Sequence, residues 1–166
     1  MEVIEVKVNY VFDGDTILVV RENGSSFKSR ARWIDAPEIR KPRQRSNNPE
    51  LVKHWEWGVL SRHFLTNLIG GKKIIVAQNE LDAFGRRIGD WYFDSPDVGN
   101  SIAVILAKNG LVANSLPFQQ YDFPNNDLDL YIGILSACAE AKKHKLGFWA
   151  ETNFLLPYKL KKSQRS

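Results

Sequence analysis

A chain of 166 residues, 43% hydrophobic and 25% charged, has room for one domain with a proper core rather than two, and this balance excludes disordered and fibrous classes. The formal net charge of +4 and a pI near 9.2 favour an anionic partner without identifying it. One cysteine excludes an internal disulfide. No apolar run approaches a membrane span and the first residues lack the basic-then-apolar layout of a secretory signal, so a soluble chain is expected.

Ile4, Val6, Val8, Tyr10 and Phe12 alternate with Glu5, Lys7 and Asn9, the two-residue period of a half-buried strand. Asp13-Gly14-Asp15-Thr16 ends it in a tight turn bracketed by carboxylates. Ile17 to Val20 predicts a second strand, and Asn23-Gly24, the strongest short hairpin signal in the chain, returns it into a third over Phe27 to Ile34. Closing that hairpin sets the start of the second strand beside the end of the third. Asp13 to Thr16 and Asp35 to Glu38 are therefore expected on the same side.

Ile39 to His54 reads as a long basic loop with Arg40, Lys41, Arg43 and Arg45, either a solvated excursion or an arm over a nucleic-acid groove. Trp57, Leu60, Phe64 and Leu68 recur at helical spacing up to Gly70-Gly71. Lys73 to Ala77 predicts a fourth strand, and Asp82-Ala83-Phe84-Gly85-Arg86 a turn into a fifth through Ile88, Trp91 and Phe93. Asn100 or Ser101 caps a second helix carrying Ile102, Ile105 and Leu106 and stopping at Gly110. After a polar loop containing Tyr121, a third helix starts near Asp127. Leu128, Ile132, Leu135 and Ala139 are its expected core face, Cys138 a buried thiol, and its cationic end suits the helix dipole. Leu146 to Trp149 should pack on the body, and the domain should end at 157, leaving 158–166 as a frayed basic tail. Three strands, a helix and two strands are compatible with a five-stranded OB barrel, a frequent oligonucleotide platform.

Asp13, Asp15, Asp35 and Glu38 crowd four acids at adjacent strand ends, which calls for a cation or arginines. Turn formation alone accounts for Asp13 but poorly for the others. Three scattered histidines and one cysteine do not make a zinc site. A carboxylate-only set suits a hard ion, calcium or magnesium, without distinguishing them. Arg30 and Arg86 carry planar donor forks that fit phosphate oxygens and would stabilise a five-coordinate transition state, while Glu38 would orient or deprotonate an attacking water.

Asp13-Gly14-Asp15-Thr16, Arg30 with Ile34-Asp35-Ala36-Pro37-Glu38, and Asp82-Ala83-Phe84-Gly85-Arg86 resemble, in order, the three signatures of the staphylococcal (thermonuclease-type) nuclease family. Gly58 with Ser61, Asn109-Gly110-Leu111-Val112, and Ala139 to Trp149 extend the resemblance over nearly the whole chain. It implies an α+β fold, a five-stranded OB barrel with three α-helices, and a monomeric calcium-dependent endonuclease. Single-stranded DNA and RNA, with double-stranded DNA as a further substrate, would be cut to leave 3′-phosphate ends. By position it implies Asp15, Asp35 and the Ala36 carbonyl as metal ligands and Asp13 as a supporting acid. Glu38 would handle the water, and Arg30 and Arg86 the scissile phosphate. Arg40, Lys41, Arg43 and Arg45, in a loop longer than the family's, and Tyr121 would contact nucleic acid. Ala36 replaces a threonine of the best-known member, and Ala83 and Phe84 its lysine and tyrosine. The resemblance also favours an exported or cell-envelope protein. It offers a second reading as a non-catalytic nucleic-acid-binding or protein-interaction module, against which the retained Arg30, Asp35, Glu38 and Arg86 speak.

Overall fold

Alternating burial along the first segment produces strand β1 (Glu2–Val11), with Val6 and Val8 in the core. The phase then changes: pairing slips between Val8 and Tyr10, so that Val11 faces inward and Tyr10, expected inside, is exposed. The computed structural model of the protein describes residues 2–115 and 125–163. Strands β2 (Thr16–Val20) and β3 (Ser26–Ala31) complete the expected meander. The third strand stops before Ile34, because Trp33 adopts a left-handed conformation (φ +69°) that turns the chain. Ile34–Asp35 (β4) pairs instead with a late two-residue strand, β7 (Ala113–Asn114).

Helix α1 (Pro49–Ile69) begins earlier than its apolar pattern suggests. Pro49 is its first residue, where the missing N–H has no intrahelical partner to lose, and the Asn48 side chain accepts from Glu50 N–H. The basic loop therefore ends at Asn48. The buried face of α1 is His54, Trp55, Gly58, Ser61, Leu65 and Ile69, while Leu60 is exposed.

Strands β5 (Lys73–Leu81) and β6 (Arg87–Tyr92) close the barrel in the order β1-β2-β3-β6-β5, with β5 returning to β1. Every pairing is antiparallel except β3 with β6. This is the predicted five-stranded OB barrel of an α+β domain. Helix α2 (Ile102–Lys108) is capped by Ser101 and packs against α3 (Asn125–Lys143).

The core face of α3 differs from expectation. Leu130, Tyr131, Ile134, Ala137, Cys138 and Ala141 are buried, whereas Leu128, Ile132, Leu135 and Ala139 are exposed. Two apolar stripes coexist on this helix, and the inward one has the small residues that permit close approach. A side chain at Gly133 would meet Val98 at 2.7 Å. The expected frayed tail also differs, since a fourth helix, α4 (Pro157–Ser163), seats Leu160 in the body. Among the described residues no helix is long and apolar enough to cross a membrane.

Candidate active site

Strand pairing builds the site. Thr16 pairs with Arg30 across β2 and β3, and Arg30 pairs with Ile88 across the parallel β3–β6 seam. The Asp13 to Thr16 turn, the end of β3 and the turn at the head of β6 thus share one end of the barrel. In that last turn, Asp82 Oδ1 accepts from the N–H groups of Phe84 and Arg86 (both 2.9 Å), and Asp82 Oδ2 accepts from Arg86 Nε at 2.7 Å. Asp82 so aims Arg86, whose Nη1 lies 3.5 Å from Thr16 Oγ1. Phe84, at the tip, is 80% exposed with the Arg86 guanidinium over its ring.

Asp15 is buried and fully engaged. Its Oδ2 accepts from Ala36 N–H at 2.8 Å, its Oδ1 from the Thr16 hydroxyl at 3.0 Å, and its own N–H donates to Asp13 Oδ1 at 3.0 Å. Arg30 Nη2 joins the two halves, 3.2 Å from Asp15 Oδ2 and 3.0 Å from Asp35 Oδ1. Its Nη1 donates to the carbonyls of Ala31 and Ile34. Glycines allow the packing beneath. A Cβ at Gly14 would fall 2.0 Å from Ser61 Oγ, and one at Gly58 would fall 2.3 Å from the Glu38 carbonyl oxygen.

Glu38 leaves its carboxylate partly exposed while its backbone N–H donates to His54 Nε2 at 2.8 Å. His54 Nδ1 lies 2.7 Å from the Leu155 carbonyl, so the proton resides on Nδ1 and Nε2 accepts. Burial, the largest influence, pushes the His54 pKa down and keeps the ring neutral. Burial and then the neighbouring Asp15 push Asp13 up to about 7. Burial works against charge on Asp15 as well, but Arg30 and Lys161 outweigh it and hold that carboxyl below its ordinary range. Asp35 is raised, chiefly by burial.

Asp13, Asp15, Arg30, Asp35, Ala36, Glu38 and Arg86 are therefore all brought to one place. Arg40, Lys41, Arg43 and Arg45 are all exposed on the 36–48 loop, and among the described residues no ion pair links them to the carboxylates. Tyr121 lies outside the described residues. Sequence reasoning missed His54 and also Lys161 of α4, whose Nζ contacts Asp35 Oδ1 and lies 3.4 Å from Glu38 Oε1.

Among the described residues no three His, Cys, Asp or Glu side chains are grouped to hold a metal. The available donors are nevertheless the right kind for a hard cation. Asp15 and Asp35 are buried carboxylates drawn to a single nitrogen of Arg30, and carbonyl, water or substrate oxygens can complete such a shell.

A closed five-stranded barrel with acids and arginines gathered at one mouth defines an OB-fold protein of the α+β class. The chain belongs to the staphylococcal nuclease homologue family, whose model matches residues 28–151. It is 29% identical over 144 residues to a rice (Oryza sativa subsp. japonica) protein named probable staphylococcal-like nuclease CAN3, covering 84% of this chain and 30% of that relative. It is 26% identical over 155 residues to an uncharacterized endonuclease of Escherichia coli O157:H7, covering 93% of this chain and 83% of the relative. It is also 25% identical over 161 residues to a micrococcal nuclease of Shigella flexneri, covering 94% and 79%. This chain spans less than a third of the rice relative's length.

Proposed function

We propose that this protein is a calcium-dependent endonuclease that hydrolyses phosphodiester bonds of DNA and RNA and leaves 3′-phosphate ends. The supporting observation is the convergence of Arg30 and Arg86 with Asp15, Asp35 and Glu38 at the barrel mouth. Asp15, Asp35 and the Ala36 carbonyl would hold the ion, calcium in preference to magnesium. When bound it would supply Lewis acidity to a phosphoryl oxygen.

The chain's own groups do the rest. Glu38 orients a water and draws off its proton as the water oxygen bonds to phosphorus and the bond to the 5′ oxygen breaks, that oxygen taking up a proton from solvent water as it leaves. Arg30, fixed by two carboxylates and two carbonyls, and Arg86, fixed by Asp82, present donors to the charge that accumulates on the phosphoryl oxygens. The hydrogen bond to His54 and the close approach of Gly58 hold the Glu38 backbone in register.

Digestion of single-stranded DNA tests this reading in calcium, in calcium with excess chelator, and with Glu38→Gln and Arg86→Ala. The wild type should cut only with the ion present, and each variant should lose about 10²- to 10³-fold in turnover. Absence of cutting with any divalent ion, alongside salt-sensitive DNA binding, would leave a binding module instead.

A further inference from the structure

The segment that leads into α4 is anchored beside the site. Its Leu155 carbonyl accepts from His54, the Phe154 ring stacks on His54 and also on Phe148 (centroids 4.6 Å apart, 11° between planes), and Leu160 is buried. One residue beyond Leu160, the lysine side chain reaches the catalytic carboxylates, and it is only 34% exposed there. Its ammonium touches Asp35 and stands 3.4 Å from Glu38. Proximity in sequence does not produce this contact, since Lys161 and Asp35 are 126 positions apart.

We propose that Lys161 is the internal counter-ion of the cation site, one that a divalent ion must displace from Asp35 and Glu38 in order to bind. Competition for one carboxylate carries it. Asp35 already meets two cations, Arg30 at 3.0 Å and Lys161, in a partly buried space, and a divalent ion would be a third. Releasing Lys161 removes that repulsion and frees Glu38 for its water. Metal affinity is then reduced by the fraction of molecules whose lysine is seated, so a tenfold preference for the seated state weakens apparent binding about tenfold. Lys161 thereby sets the ion concentration at which the site loads. The proposal rests on the reading of Asp15 and Asp35 as ligands.

Calorimetric titration of the full chain with calcium chloride, and separately with manganese chloride, tests it without reference to activity. Lys161→Gln should bind each ion about tenfold more tightly than the wild type. Lys161→Arg, which keeps the charge, should stay within about twofold of the wild type. Leu160→Ala unseats α4 while leaving the lysine, and should tighten binding by a smaller factor. Equal or weaker affinity in Lys161→Gln, with clear binding by the wild type, overturns the competition and leaves the metal site standing. No binding by any of the four proteins overturns the metal site itself.

Discussion

Arg30 and Arg32 stand two residues apart at the end of β3 and each gathers two carboxylates, yet they make opposite kinds of cluster. Arg32 is saturated. Its Nε and Nη2 grip Asp90 of β6, its Nη1 and Nη2 each lie 2.7 Å from Asp127 of α3, and its side chain is 9% exposed. Burial alone would lower its pKa, but the hydrogen bonds it donates to Asp90 and Asp127 outweigh that and hold the charge on. Arg30 instead divides one nitrogen between Asp15 and Asp35, and Asp35 is further shared with a lysine. The Arg32 cluster joins two carboxylates to one largely buried arginine and ties the barrel to α3. The Arg30 cluster has a second cation, Lys161, whose side chain is 34% exposed and can exchange. What separates the two clusters is whether one of their partners reaches solvent.

Replacing each arginine tests that contrast most severely. Arg32→Met should cost about 3–5 kcal/mol of unfolding free energy in urea, because Asp90 is left buried without its partner, while turnover of the folded fraction persists. Arg30→Met should cost about 10²- to 10³-fold in turnover on single-stranded DNA and less stability than Arg32→Met, since Lys161 remains on Asp35. The opposite pattern would invert the comparison. Gly58→Ala sharpens the mouth side. Its methyl would press on the Glu38 carbonyl, costing about 1–3 kcal/mol and lowering turnover with DNA affinity retained.

His54 supplies a pH test on the same side. Its folded pKa lies below the ordinary 6.5, so the folded protein binds fewer protons than the unfolded chain in that interval. His54 therefore contributes a fall in stability as pH drops through about 6.5, against the opposite contribution of Asp13 with its pKa raised to about 7, and the difference between the wild-type and His54→Gln profiles isolates the ring. Parallel profiles for the two proteins would show that this ring is not what titrates. The smallest effect belongs to the exposed loop. Removing Arg43 or Arg45 should lower the slope of log affinity against log salt by about 0.7 for each phosphate no longer neutralised on a single strand, with turnover of bound DNA unchanged.

The clustering of the candidate acids is legible in the sequence because hairpin closure is a local rule. Asn23-Gly24 fixes the register that sets Thr16 opposite Arg30, and the Asp82 turn announces Arg86 by composition. His54 escapes notice as long as Pro49 is taken for a loop residue. Placed at the first position of a helix, Pro49 brings in the buried series His54, Gly58, Ser61, Leu65 and Ile69, which is as helical in period as the one through Leu60 and Phe64 and starts nearer the new N-terminus. The α3 face is ambiguous because its two apolar stripes have similar hydrophobicity. Only the close approach at Gly133 and the hold of Asp127 on Arg32 decide between them. Lys161 carries no local signal beyond Pro157 and Leu160 at the spacing of a short helix, since its partner is set by tertiary packing.

The parallel seam between β3 and β6 also bears on the protein's synthesis. Arg32 and Asp90 meet across 58 positions of sequence, and Arg86 and Thr16 across 70. Such non-local contacts form late, because the entropy of closing long loops is lost before they return anything. A chain leaving the ribosome carries its acids and Arg30 well before β6 exists to align them, so the proposed cleavage would begin only with seam closure. Recovery of activity during refolding should therefore lag the formation of the β1 to β3 meander and serve as a clock for the closing of the barrel.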